Sequence, residues 1–182
     1  IQYKNIKARH IIFAEGFGLH KNPYFNYLPL DGTKGELFLI KAPDLKLDLI
    51  VNTSVFILPV GGNLFKVGAT YNWHDKTDLP TEEGKQELLD RIKEIITCDF
   101  EIVKHFAGVR PTVADRRPLV GTHEAYESIH LLNGLGTRGV MLGPALAKML
   151  YDNIESGTPI DKEADIKRFH KRYLKSLTPD RH

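Results

Sequence analysis

Apolar residues recur along the chain in two rhythms, one of period two and one near 3.6, and their order predicts the elements. Ile11-Ile12-Phe13-Ala14 is a short continuous apolar run, the pattern of a strand buried on both faces, and Glu15-Gly16-Phe17-Gly18 closes it as a turn. A loop rich in Asn, Pro and Tyr follows to Pro29. Stretches over residues 35–40, 47–51, 55–59 and 64–70 then read as an antiparallel meander. Gly61-Gly62-Asn63 supplies the positive φ of a tight hairpin, and Thr53-Ser54 marks another reversal. A helix interrupts the strands: Pro80 precedes it, Thr81 caps it, and Glu82 and Glu83 suit the positive end of its dipole. Leu88, Leu89, Ile92, Ile95 and Ile96 form its apolar face.

Residues 100–107 read as a further strand and residues 129–133 as a short buried one. The latter runs into Gly134-Leu135-Gly136-Thr137-Arg138-Gly139 and a helix from about Val140 to Glu155, closed by Gly157 and Pro159. Asp161 is expected to open a final helix with Ile166, Phe169, Tyr173 and Leu174 on its apolar face. The pattern thus predicts an α/β fold of α+β-like character, with an antiparallel-rich mixed sheet flanked by helices. It contains no internal repeat.

Composition narrows the function classes. The 182 residues are 42% hydrophobic, with 25 Lys and Arg against 23 Asp and Glu, so disorder is excluded and a sizeable core is affordable. Cys98 stands alone, which excludes a disulfide scaffold and fits a reducing, cytoplasmic compartment. Runs such as residues 55–60 fall far short of the roughly 20 residues of a membrane span, and no basic-then-apolar signal opens the sequence. From Lys167 onward six Lys and Arg face one acid, Asp180, so the tail carries +5 and the remainder −3. A solvated helix explains this tail better than a nucleic-acid site, because no aromatic and basic residues interleave on a sheet elsewhere.

Two segments stand out as chemistry. At residues 129–150 a strand, a glycine-rich turn and a helix start follow one another, and unpaired N–H groups there suit an electron-rich group. Arg138 would add a planar donor fork. Glycines needed only for close packing fit the same spacing, which is neither GxGxxG nor GxxxxGK[ST]. In the second segment, Arg110 follows a strand end and Pro111 stiffens the backbone behind it, the presentation expected of a carboxylate clamp; a structural salt bridge is the alternative, which its apolar neighbours disfavour. Arg116 and Arg117 beside Asp115 read as a solvated or internally paired turn. Tyr71, Trp73 and His74 follow a strand and suit either a pocket or ordinary edge packing. The eight histidines have no metal-ligand spacing, Cys98 reads as a core residue, and no GxSxG supports a hydrolase.

Gly108-Val109-Arg110-Pro111-Thr112 with Asp115-Arg116-Arg117-Pro118-Leu119-Val120-Gly121 resembles the C-terminal signature of the D-amino-acid oxidase and glycine oxidase (DAO) family of FAD-dependent oxidoreductases. Residues 131–145, from Leu131 through Gly134-Leu135-Gly136-Thr137-Arg138-Gly139 to Ala145, resemble that family's closing flavin motif. Residues 11–16, Lys34-Gly35-Glu36 and Val67-Gly68-Ala69-Thr70 match further family positions in order. The resemblance implies a flavoprotein that oxidises the C–N bond of an amino acid or amine by hydride transfer to FAD, with the flavin rather than a side chain doing the chemistry. It implies Arg110, Tyr71 and Trp73 as substrate-binding residues and Gly134, Gly136, Thr137, Arg138, Gly139 and Val140 as FAD-binding residues.

The family's GxGxxG βαβ unit is not in this sequence. Ile1 is therefore expected to be a cut, and the chain the C-terminal part of such a protein. Residues 1–27 and 106–182 would then be parts of the FAD-binding domain and residues 28–105 the substrate-binding domain. FAD is expected in the full-length protein and absent or weakly held in this chain, which would be inactive by itself. The expected partner is a small amine or amino acid, with no nucleic acid, no membrane span, no metal and no signature of a particular oligomeric state. A non-catalytic module that captures an anionic small ligand through Arg110 is the alternative.

Overall fold

A computed structural model describes residues 2, 3 and 5–178. Ile1 and the end of the basic tail, with Asp180 and Arg181, lie outside the described residues. The chain divides into two compact units, residues 1–32 with 110–182, and residues 33–109.

The second unit is a five-stranded sheet with one helix on it. Its strands are β4 (Thr33–Lys41), β5 (Val51–Asn52), β6 (Phe56–Gly61), β7 (Leu64–Gly68) and β8 (Glu101–Arg110), in the order β5-β6-β7-β4-β8. The β5-β6, β6-β7 and β7-β4 pairs are antiparallel. The β6–β7 hairpin turns on Gly61, Gly62 and Asn63, all at positive φ, as the sequence predicts. Helix α1 (Glu82–Lys93) is capped by the Thr81 side chain, which accepts from the Gly84 N–H. Its Leu88 and Ile92 pack on Phe38, Ile40, Ile57, Phe65 and Val67 of the sheet, and half-buried Cys98 borders this core.

Three strand and helix expectations need correction here. Residues 47–51 form a strand only from Val51, because Leu49 and Ile50 are exposed and join no neighbouring strand. Helix α1 ends at Lys93, with Ile95 and Ile96 in the turn beyond it. Strand β8 runs on to Arg110.

The first unit is built on a three-stranded sheet. β3 (Ile11–Phe13) runs parallel to β10 (Tyr126–Asn133), and β9 (Leu119–His123), a strand absent from the sequence reading, pairs antiparallel on the other side of β10. A small hairpin of β1 (Gln2–Tyr3) and β2 (Ile6–Lys7) precedes them. β9 and the second half of β10 are largely buried, which explains their continuous apolar runs, whereas β3, expected to be buried on both faces, lies at the sheet edge and leaves Ile12 52% exposed. Ile129, Leu131 and Leu119 pack with Leu19, Phe25 and Ile166, whereas Val120 and Leu132 pack with Leu146 and Leu150 of helix α2 (Gly139–Ser156). Gly157 in the left-handed region closes α2.

The final helix does not begin at Asp161. A 3-10 turn over Ile166–Phe169, capped by Asp165, leads into helix α3 (His170–Leu177). Ile166 and Tyr173 are buried while Leu174 is exposed. Among the described residues no helix is long and apolar enough to cross a membrane.

Buried histidines make the first unit pH-sensitive. His130 on β10 lies between His10 Nδ1 and Thr122 Oγ1, each 2.9 Å from one of its ring nitrogens. Burial, and secondarily the neighbouring His10, hold its pKa below the ordinary imidazole value, and burial lowers that of His123 as well. The fold therefore favours neutral rings, and the unfolded chain takes up more protons as pH falls through about 6.5. The thermal midpoint is expected to be flat between about pH 7 and 9 and to decline between about pH 6.5 and 5. A His10→Asn variant, read by circular dichroism across that range, should show a shallower decline.

Candidate functional site

The carboxyl ends of the parallel strands β3 and β10 meet at one place, where open α/β sheets carry their ligands. Asn133, the last residue of β10 and buried, donates from Nδ2 to the Gly16 carbonyl beyond β3 at 2.9 Å and accepts from the Gly134 N–H at 2.7 Å. It ties the two loops together. Sequence reasoning passed over Asn133, because nothing local distinguishes it from any polar residue ending a strand.

From Gly134 the chain turns at positive φ, passes through a 3-10 turn (Gly136–Arg138) and enters the 18-residue helix α2. The two positive-φ glycines play different parts. A Cβ on Gly134 would lie 2.5 Å from Val113 Cγ2, so packing alone demands glycine there. A Cβ on Gly136 would meet nothing within 4 Å, so this glycine is needed for its φ of 56° and stands beside open space. Helix α2 begins without a side-chain cap and without an acid in its first turn. Val140 in that turn is 98% exposed. First-turn N–H groups with no capping side chain and a positive dipole end are what an electron-rich ring edge or an anion requires. Thr137 and Arg138 are exposed, and the Arg138 Nη2 donates to the Arg116 carbonyl at 2.9 Å, which pins the guanidinium to the neighbouring turn.

Arg110 ends β8 and is half-buried. Behind it, the Pro111 carbonyl accepts the Gly136 N–H at 3.2 Å. The Thr112 carbonyl accepts from Asp31 and Gly32, and Val113 bridges to Leu30. The arginine segment and the glycine loop, 26 positions apart, are thus joined backbone to backbone. The Asp115 turn is paired, though with a partner distant in sequence: Arg168 Nε lies 2.9 Å from its carboxylate. Burial raises the Asp115 pKa, but hydrogen bonds from Arg168 and the Arg117 N–H outweigh that and leave it below the ordinary value. Arg117 faces Glu163 at 3.3 Å.

Tyr71 and Trp73 belong to the other unit. They flank Asn72, whose N–H and C=O exchange hydrogen bonds with Lys34, both at 2.9 Å. Both aromatic side chains are exposed. His74 is exposed as well, its N–H donating to Asn72 Oδ1. Among the described residues no three His, Cys, Asp or Glu side chains gather as metal ligands.

The chain as a whole is similar to known proteins. The chain is 27% identical over 168 residues to the tRNA 5-methylaminomethyl-2-thiouridine biosynthesis bifunctional protein MnmC of Marinobacter nauticus, which covers 83% of this chain and 26% of that protein. It is 27% identical over 164 residues to glycine oxidase of Bacillus licheniformis, covering 86% of this chain and 44% of that enzyme. In structure it resembles glycine oxidase from Geobacillus kaustophilus, with a TM-score of 0.72 at 22% identity over 96% of this chain and 46% of that one. Iminodiacetate oxidase from Chelativorans sp. BNC1 gives a TM-score of 0.75 at 23% identity over 87% and 46%. The chain thus spans less than half the length of each, and the structural likenesses establish the DAO-type fold. The family model for FAD dependent oxidoreductases of the DAO type matches residues 2–153, and the chain belongs to that family.

Proposed function

We propose that this chain is the C-terminal part of an FAD-dependent enzyme that oxidises the C–N bond of an amino acid or amine, and that it supplies that enzyme's substrate clamp and flavin-facing loop. The observation that supports the reading is the Gly136 N–H to Pro111 carbonyl hydrogen bond, which joins the backbone next to Arg110 to the glycine loop. FAD, when bound, supplies the oxidation itself by accepting a hydride from the substrate carbon next to nitrogen. The residues of this chain do the rest. Arg110 holds the substrate carboxylate as a planar two-pronged donor. Gly136, Thr137, Arg138, Gly139 and Val140 present the N-terminal end of α2 to the cofactor, and Gly134 shapes that turn by packing. Tyr71 and Trp73 contact the organic part of the substrate.

The chain by itself is expected to hold FAD weakly or not at all. The solvent face of α2 carries Val140, Met141 and Tyr151, and a recess of about 180 Å³ beside it is lined by Ile12, Leu132, Ala147 and Ile154. Such a face suits a covering segment. Flavin absorbance tests this directly: the full-length protein is expected to purify yellow and to oxidise small amino acids, and the 182-residue chain to purify colourless. A chain that binds stoichiometric flavin by itself would contradict the proposal.

A second reading follows from the MnmC relatives, whose name concerns an aminomethyl group on a tRNA uridine. The same clamp and loop would then serve an amine carried on RNA. Oxidation of modified tRNA with no turnover of free glycine would favour that reading over a free amino-acid substrate.

A further inference from the structure

Strand β4 presents Lys34, Glu36, Phe38 and Ile40 on the face that α1 covers. Two charged residues at the end of an apolar stripe need a reason, because a buried charge is costly unless paired. Lys34 is 1% exposed and Glu36 4%. The Lys34 ammonium donates to Asp75 Oδ2, to Thr77 Oγ1 at 3.2 Å and to the Leu79 carbonyl at 2.5 Å, and lies 3.5 Å from Glu36 Oε1. The Glu36 carboxylate accepts the Thr81 N–H at 3.0 Å and the Thr81 hydroxyl at 2.7 Å. Its backbone N–H donates to Thr70 Oγ1, and its carbonyl accepts the Thr70 N–H. His105 Nε2 stands 2.8 Å from Glu36 Oε2 without the alignment of a hydrogen bond.

The segment from Thr70 to Thr81 is therefore pinned at both ends by Glu36 and along its length by Lys34. Within it, Asn72 Oδ1 accepts the N–H groups of His74 and Asp75, and Asp75 Oδ1 accepts that of Thr77. No side chain from Tyr71 to Pro80 is buried, so packing into the core does not hold these residues in place. The polar grip of Lys34 does.

We propose that Lys34 is a positioning residue for substrate: by gripping Asp75, Thr77 and the Leu79 carbonyl it fixes the segment that carries Tyr71 and Trp73. This rests on the reading that those two aromatics touch the substrate. Lys34 itself touches no reacting atom. The lysine places its ammonium inside the unit, and the segment folds over it to supply the acceptors it lost on leaving water.

Trp73 is the only tryptophan of the chain, so its fluorescence reports on the segment. In the 182-residue chain, Lys34→Met is expected to raise acrylamide quenching of Trp73 by about twofold, and in the full-length flavin-loaded enzyme to raise KM about tenfold with kcat within about threefold and flavin content unchanged. The paired change Asp75→Ala with Thr77→Val removes the side-chain acceptors from the half-buried and exposed side and should do the same if Lys34→Met fails to fold. Quenching unchanged in the variants that fold would overturn the grip. Increased quenching with unchanged KM, alongside a raised KM in Trp73→Ala, would overturn the positioning role while leaving the aromatic contact standing. If Tyr71→Ala and Trp73→Ala both leave KM unchanged, the underlying substrate reading fails and the inference falls with it.

Discussion

Replacing Arg110 with alanine in the full-length, flavin-loaded enzyme is expected to lower kcat/KM for amino-acid substrates by about 100-fold to 1,000-fold. Removing one partner of a desolvated, hydrogen-bonded charge pair costs about 3–4 kcal/mol, and each 1.4 kcal/mol is a factor of about ten. The effect should depend on the substrate. An amine of similar size without a carboxylate has nothing for the guanidinium to grip, so its kcat/KM should change by less than about threefold. That contrast separates a clamp from a merely structural arginine, which would weaken both substrates alike. Lysine at this position should recover little, because a point charge does not reproduce the planar fork. Steady-state kinetics with the paired substrates decide the matter, and equal losses for both would remove Arg110 from the binding site.

The largest effect on stability is expected from Glu36→Ala. The carboxylate serves three groups, the N–H and hydroxyl of Thr81 at the head of α1 and the Lys34 ammonium, and the His105 ring stands beside it. Its removal leaves the Thr81 N–H and hydroxyl without their acceptor and takes one of two carboxylates from the Lys34 ammonium, a loss of about 3 kcal/mol. For a chain of this length the thermal midpoint should fall by about 10 °C in circular dichroism. Glu36→Gln keeps an acceptor for Thr81 and should lose about half as much. Gly84 lies against the same carboxylate, where a Cβ would come within 2.5 Å of its Cδ, so Gly84→Ala should also destabilise. A shift below about 2 °C for Glu36→Ala would show that the buried network contributes little to the fold.

What could be read in the sequence follows the range of the interactions. Helix α1 was legible because its signals are local: Thr81 at the cap, two acids in the first turn, and apolar residues returning every turn. The Gly61-Gly62-Asn63 hairpin and the end of α2 at Gly157 were legible for the same reason. Strand β9 was hidden, since Leu119–His123 follows an arginine-rich turn and its first three residues are all buried, so it shows no alternation. Residues 47–50 misled in the opposite sense, as apolar residues without a strand to pair with.

The candidate site divides in the same way. The glycine turn and Arg110 could be named singly, but the bond between Gly136 and Pro111 spans 25 residues and could not. The grip of Lys34 on Asp75, 41 residues away, and the pairing of Arg168 with Asp115, 53 away, are likewise matters of tertiary structure alone. Sequence marked Lys34-Gly35-Glu36 as a motif, and the fold supplies its physical reason.

The proposed function requires Arg110 and the Gly136 loop to form one site for substrate and flavin. The most direct test is the visible spectrum of the full-length protein mixed with glycine or sarcosine in the absence of oxygen. The flavin is expected to bleach with wild-type protein and to bleach far more slowly with Arg110→Ala at equal substrate. A flavin that stays oxidised with every small amine and amino acid tried, or that bleaches equally fast in both proteins, would contradict the proposed function.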